Sequence, residues 1–303
     1  MPLFRKAARG LSILFLTWLG ILGPSAQDEI QAPGARHLTQ PGATQTRVVE
    51  RVEHNVLHRP IALADDKNHW IDRTYAYGST QFNSRPVHLG VEFVNARETP
   101  VFAAKAGRVI FAGSDASLQL GPQVDYYGNV VVLAHELYSL AGRQIFTLYG
   151  HLERVNVQAG QLLADMDQIG TVGSSGVAIG PHLHFEVRAG DPYSYRQTRN
   201  PELWLQHYVD SGMIVGSLRH QNGEPIYGRR VTIRSEAGSR DVFTYASALA
   251  NGDPVWRENF VVADLPAGNY EIVHLDDKGL VVFRDGVRVD AYRTTFVEIV
   301  LPE

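Results

Sequence analysis

Along residues 48–209, short β-type apolar runs are broken by turn residues. Runs at 101–109, 130–135, 144–149 and 182–188 are rich in Val, Ile, Phe and Tyr, and Gly107, Gly113, Gly128-Asn129, Gly142 and Gly190 punctuate them. This spacing predicts a mainly antiparallel β domain over 48–210. The stretch 48–87 is too weakly patterned to assign strand by strand. Arg199-Asn200-Pro201 followed by Glu202-Leu203-Trp204-Leu205 predicts a turn and a short closing helix, because Pro is tolerated at a helix's first position.

From 213 onward the strand pattern resumes at 214–219, 230–233, 260–262, 270–274, 280–284 and 295–301, with turns at Asn222-Gly223, Ala267-Gly268, Lys278-Gly279 and Asp285-Gly286. About ninety residues built this way predict a small β-sandwich over 211–303. Upstream, 27–47 is rich in Gln, Pro, Gly, Ala and Thr without apolar periodicity and reads as a flexible tether. Residues 1–26 carry Arg5, Lys6 and Arg9, then an apolar run from Leu11 to Leu22, then Gly23-Pro24-Ser25-Ala26. That layout is a secretory signal peptide, too short to span a bilayer. Pro24 at the minus-three position leaves a shifted cleavage site or an uncleaved anchor open. Export outside the cytoplasm is expected under each version, with no stable membrane span after cleavage.

Composition narrows the chemistry. The 303 residues hold 28 Lys plus Arg against 32 Asp plus Glu, a net charge of -4, which gives no basic field for nucleic acid. The absence of cysteine removes thiol nucleophiles, disulfides and Cys-ligated metals, so any metal must be held by His and carboxylate.

Gly180-Pro181-His182-Leu183-His184-Phe185-Glu186-Val187-Arg188 is the most informative segment. With the period-two alternation of a strand, His182 and His184 share one face while Leu183, Phe185 and Val187 point to the core. In Val87-His88-Leu89-Gly90-Val91-Glu92-Phe93, even spacing along an extended chain again places His88 and Glu92 on one side; Gly90 and the β-type neighbours disfavour a helix. Two His and one carboxylate leave a fourth position open, as in hydrolytic zinc sites. A surface His–Glu pair is the alternative. Elsewhere in the chain, His135 is expected to serve as a structural hydrogen bonder, Tyr149 to pack or to donate into the cleft, and His54, His58 and His69 to be surface or structural. The loop 78–85 is a candidate cleft rim. The run Val172-Gly173-Ser174-Ser175-Gly176 lacks a following Lys-Ser/Thr and a βαβ setting, so it reads as a turn rather than a phosphate cradle.

Several motifs in sequence order resemble the lysostaphin/LytM-type zinc metallopeptidases (peptidase family M23). They are His88-Leu89-Gly90-Val91-Glu92; Glu98-Thr99-Pro100-Val101-Phe102-Ala103-Ala104 with Gly107-Arg108-Val109; Tyr127-Gly128-Asn129; Thr147-Leu148-Tyr149-Gly150-His151-Leu152; Val172-Gly173-Ser174-Ser175-Gly176; and His182-Leu183-His184-Phe185-Glu186. The resemblance covers about 110 residues, from His88 to Arg188. It implies zinc (Zn2+) held by His88, Glu92 and His184, catalytic positions at His151 and His182, and the peptide stems or cross-links of peptidoglycan as substrate. Glu92 departs from the family's usual Asp. Glu is equally an oxygen ligand, with an oxygen displaced by about 1.5 Å unless the backbone retreats. An exported zinc metalloendopeptidase is the reading this supports. The alternative is a catalytically inactive LytM-like domain that binds cell wall or activates another wall hydrolase. A further alternative, a zinc-storage or transport protein, implies exchangeable metal and no dependence on His151. Gly216-Ser217-Leu218, Gly223-Glu224-Pro225-Ile226 and Leu265-Pro266-Ala267-Gly268-Asn269-Tyr270 resemble the transthyretin-like, carboxypeptidase-regulatory-type β-sandwiches, which implies a spacer or a contact to an envelope protein partner.

Overall fold

The structure, a computed structural model, describes residues 53–302 apart from Asp65. The expected signal peptide and tether lie outside these residues. Seventeen strands follow in chain order. The first ten are β1 (Val91–Val94), β2 (Pro100–Phe102), β3 (Gly107–Ser114), β4 (Asn129–Tyr138), β5 (Gln144–Gly150), β6 (Leu152–Val155), β7 (Leu162–Leu163), β8 (Gln168–Val172), β9 (His182–Ala189) and β10 (Thr198–Arg199). The rest are β11 (Ser211–His220), β12 (Arg230–Ser235), β13 (Gly238–Phe243), β14 (Phe260–Pro266), β15 (Gly268–Leu275), β16 (Val281–Val289) and β17 (Thr294–Leu301). Two single-turn 3-10 helices, Tyr195–Gln197 and Pro201–Leu203, are the only helices among the described residues, the second with Pro201 at its start as expected. The chain is mainly β with antiparallel pairing; β11 and β17 run parallel.

The principal sheet has the order β1-β9-β5-β4-β3-β7, with β10 added to β9, and faces a small β2-β8-β6 sheet across a core that includes Phe93, Val101, Val109, Leu133, Ile169 and Phe185. The run expected as one strand over 101–109 is two strands in two different sheets. Its break has a local cause. Asp165 Oδ1 accepts the Ala106 amide at 2.5 Å, and Tyr149 Oη accepts the Ala104 amide at 2.8 Å, so residues 103–106 leave the ladder and cross between sheets.

Beyond Ser211 the strands form a β14-β11-β17 sheet and a β13-β12-β15-β16 sheet, packed through Ile214, Leu218, Ile233, Phe260, Ile272 and Ile299. Strand alternation explains what the other face of the first sheet does. Met213 and Val215 of β11, Val261 and Ala263 of β14, and Phe296 of β17 point away from that sandwich and join the core of the principal sheet, with Trp204, Tyr245 and Trp256. A sheet buried on both faces reads as continuous apolar sequence, as Met213-Ile214-Val215 does. Charges seal the same junction. Arg59 donates to Asp264 at 2.5 Å, Arg73 pairs with the buried Glu202, and Glu202 accepts the Ala263 amide at 3.0 Å.

Candidate metal centre

β9 is buried along all eight residues and lies between β1 and β5, so its inward side chains meet whatever those neighbours carry. In the β1–β9 ladder Glu92 stands opposite His184 and Val94 opposite His182. His88 comes before β1 starts, which corrects the expectation of one extended segment carrying both His88 and Glu92. A short ladder with the preceding loop holds it instead. The His88 amide donates to Ser79 O at 2.9 Å, and the Gly78 amide donates to His88 O at 2.7 Å. Gly90 is required for space: a Cβ there would sit 2.5 Å from His184 Nε2.

The partners assign the imidazole tautomers. Carbonyls and carboxylates only accept, so each ring nitrogen facing one must carry the proton. His88 Nδ1 faces Tyr75 O at 2.6 Å, His151 Nδ1 faces Ser175 O at 2.8 Å, and His182 Nδ1 faces Gly180 O at 3.0 Å. Their Nε2 atoms are therefore lone pairs. His184 is reversed: its Nε2 faces Glu186 Oε1 at 3.0 Å, which leaves Nδ1 as the lone pair. His88 Nε2 and His184 Nδ1 then face each other at 3.2 Å with no proton to share. Glu92 Oε1 lies 3.7 Å from His88 Nε2 and 3.6 Å from His182 Nε2, and the latter nitrogen is buried with no hydrogen-bond partner among the described residues. Ligand atoms of His88, Glu92 and His184 all fall within 4.8 Å of one another. Opposed lone pairs beside a carboxylate fit a divalent cation.

Burial, reinforced by the neighbouring imidazoles, pushes His88 well below its ordinary pKa and His151 down to about 3. Burial lowers His182 too, against the opposing attraction of Glu92. Each shift favours the neutral ring, the form that binds metal or accepts a proton. The His151 and His182 rings are 4.8 Å apart. His151 sits at φ 61, between β5 and β6, a left-handed conformation that turns its ring back toward β9.

Behind His184 lies a network that the sequence reading did not single out. Glu186 accepts from His184, from Tyr127 Oη and from Arg188 Nε at 2.7 Å; Arg188 also donates to Leu120 O at 2.9 Å and to Pro192 O at 2.8 Å. Tyr127, Glu186 and Arg188 are fully buried. A metal-ligating imidazole held by a carboxylate is fixed in tautomer and in ring orientation. The signal was present: 182, 184, 186 and 188 share one strand parity. Tyr75 also went unremarked; its ring stacks on His88 with centroids 4.1 Å apart.

The remaining candidates sort as the fold dictates. His135 bridges Ala106 O at 2.9 Å and Thr147 Oγ1 at 2.8 Å. Tyr149 packs against Phe185 in the core, away from the cleft. His54 pairs with Asp253 at 3.0 Å, His58 with Asp165 at 3.4 Å, and His69 with Tyr208 at 2.5 Å. The Gly-rich run leaves the end of β8 as part of the irregular connection to β9, bridged through Gly173 and His182, and its Ser175 carbonyl orients His151. Around the centre opens a cleft of about 430 Å³ whose walls include Tyr75, Arg85 and Tyr126. Gln81 and Arg85 bring the loop 78–85 to its rim.

Two imidazoles and a carboxylate can hold a divalent metal ion, and the two further neutral imidazoles beside them can accept a proton. Residues 86–199 match the family model for Peptidase family M23, and this segment is an M23 domain of the LytM/lysostaphin type. The peptidoglycan DD-endopeptidase ShyA of Vibrio cholerae is 30% identical over 109 residues, 36% of this chain and 24% of the relative. The DD-carboxypeptidase/endopeptidase Mpg of Neisseria meningitidis is 32% identical over 102 residues, 34% of this chain and 20% of the relative. The chain thus spans less than a quarter of the length of these curated relatives. Among solved structures, the catalytic domain of lysostaphin from Staphylococcus simulans is 29% identical, covering 38% of this chain and 76% of that one with a TM-score of 0.32. No helix among the described residues is long and apolar enough to cross a membrane.

Proposed function

We propose that this chain is an exported zinc metalloendopeptidase that hydrolyses peptide cross-links of peptidoglycan. The observation that carries the reading is the convergence of His88 Nε2, His184 Nδ1 and the Glu92 carboxylate, with two unprotonated imidazole nitrogens beside them. His88, Glu92 and His184 would hold Zn2+. When bound, zinc supplies Lewis acidity to the scissile carbonyl and to the attacking water. His151 and His182 do the proton work: an Nε2 lone pair takes the proton of the water and returns it to the leaving amine. The carbonyls of Ser175 and Gly180 keep both rings in the tautomer that makes this possible. Relatives named as peptidoglycan endopeptidases support the substrate class, and the signal-like residues 1–26 support export.

Glu92 in place of the family's usual Asp favours the second reading, a wall-binding or hydrolase-activating domain. Both are tested by incubating the zinc-loaded chain with cross-linked peptidoglycan and reading new peptide termini by mass spectrometry. Chelator and His182→Ala are the controls. Zinc-dependent cleavage that disappears in His182→Ala upholds the peptidase; no cleavage at stoichiometric zinc shifts the assignment to the binding or activator role.

A further inference from the structure

A second, larger cavity of about 880 Å³ opens where the loop 73–84 meets β13 and the residues that follow it. It adjoins the cleft around the candidate metal centre, since Thr74 and Gln81 line both. Its mouth is unusual in backbone and in side chain. Gln81, Phe82 and Asn83 are three successive non-glycine residues at φ 45, 57 and 65, a left-handed turn that L-residues avoid and that persists where surrounding structure enforces it, commonly at ligand sites. The turn lifts Phe82 to 84% exposure, where its ring meets that of Phe243 edge to face at 5.3 Å. An exposed aromatic pair held by a strained loop is a poor device for packing and a good one for contact with a ligand.

The walls identify that ligand's chemistry. Ser79, Thr80, Asn83 and Ser84 contribute neutral hydroxyl and amide groups; Ser84 Oγ donates to Gln81 O at 2.7 Å and Thr80 Oγ1 to Asn83 Oδ1 at 3.4 Å, which leaves the hydroxyl oxygens as acceptors and the Asn83 amide nitrogen as donor for a ligand. The charged members already have partners: Arg73 pairs with Glu202, and Asp241 accepts from Thr232 Oγ1 at 2.7 Å and faces Arg230 at 3.6 Å. A charged peptide would find few free counter-charges there. A saccharide presents neutral hydroxyls for such a wall and electropositive C–H faces for aromatic rings. We propose that this groove binds the glycan strand of the polymer whose peptide cross-link enters the catalytic cleft, so that Phe243 makes the β-sandwich part of the substrate site. The inference rests on the peptidoglycan reading for the identity of the polymer, while the saccharide chemistry rests on the groove alone.

The test uses the zinc-loaded full chain and a β-1,4-linked N-acetylglucosamine hexamer, with binding read by calorimetry and saturation-transfer NMR. Phe82→Ala and Phe243→Ala, both at exposed positions, should each weaken hexamer binding by about tenfold or more. His182→Ala should bind it as the wild type does, and thermal unfolding of the Phe variants should be unchanged. Hexamer binding that is absent in the wild type or indifferent to both Phe substitutions overturns the proposal. So does Phe-dependent binding of a sugar-free cross-linked peptide in place of the hexamer. Loss of all hydrolysis with Phe-dependent hexamer binding intact would sink the peptidase reading and leave the groove standing. Where hydrolysis is present, Phe243→Ala should raise KM for glycan-bearing substrate and leave the sugar-free peptide dimer unaffected.

Discussion

Gly78→Ala tests how rigidly the second sandwich grips the metal centre. Gly78 lies at φ 78, and a Cβ there would come 2.3 Å from Tyr245 Cδ1. Two costs add. An alanine in the left-handed region costs about 1 kcal/mol. The overlap costs a further 1–3 kcal/mol or so, the usual range for overpacking, because the Tyr245 ring has nowhere to go. It is 2% exposed, donates from Oη to Glu258 at 2.9 Å, accepts from Asn200 at 3.3 Å, and meets Tyr77 edge to face. The expected loss is about 3 kcal/mol in all, read as a fall in the urea midpoint at constant m-value. Gly142→Ala is the matched control: φ is 70 but nothing lies within 4 Å of its Cβ, so it should cost only the conformational part, about 1 kcal/mol. Equal losses in the two variants would refute the steric argument. The same substitution should weaken zinc binding, because the Gly78 amide and the Ser79 carbonyl hold the His88 backbone.

Burial raises Glu258 from 4.5 to about 8, opposed by hydrogen bonds from the Asp253 amide and from Tyr245. The folded protein thus keeps a proton that the unfolded chain releases, and stability falls as pH rises between about 4.5 and 8, by at most about 1.4 kcal/mol per pH unit. Glu258→Gln should flatten this slope; a urea-midpoint profile as steep as that of the wild type would contradict it. Glu186→Gln should cut zinc affinity by about 10- to 100-fold, measured by chelator competition, and should lower stability by roughly 3 kcal/mol because Arg188 is left buried without its countercharge. Zinc affinity within twofold of the wild type would remove Glu186 from the positioning of His184.

How far the sequence carries the site depends on which interactions are local. His182 and His184 are legible because strand alternation is a two-residue rule, and the rule would have reached Glu186 and Arg188 had burial on that face been considered. His88 and Glu92 come within 3.7 Å of each other, but not as one extended segment: His88 stands before β1 and depends on Ser79, Gly78 and Tyr75 for its pose. Those contacts join segments whose pairing no periodicity announces, which is why 48–87 gave no strand assignment. The split of 101–109 was hidden for the same reason: Asp165 and Tyr149, some fifty residues downstream, decide where β2 ends. β13 escaped notice because Gly238-Ser239-Arg240-Asp241 shows neither alternation nor apolar character.

Hydrogen bonds run in series from the Ala246 amide to the Gly78 carbonyl and from the Gly78 amide to the His88 carbonyl, while the β14-β11-β17 sheet closes two cores at once. A gene crossover at the codon for Ser211 would sever both connections, stripping Trp204 of its cover and His88 of its brace. M23 segment and sandwich are therefore poorly suited to being shuffled as independent cassettes: a lineage that exchanged one would have had to rebuild the other, and a protein engineer grafting this M23 segment onto a new binding domain must carry the sandwich with it.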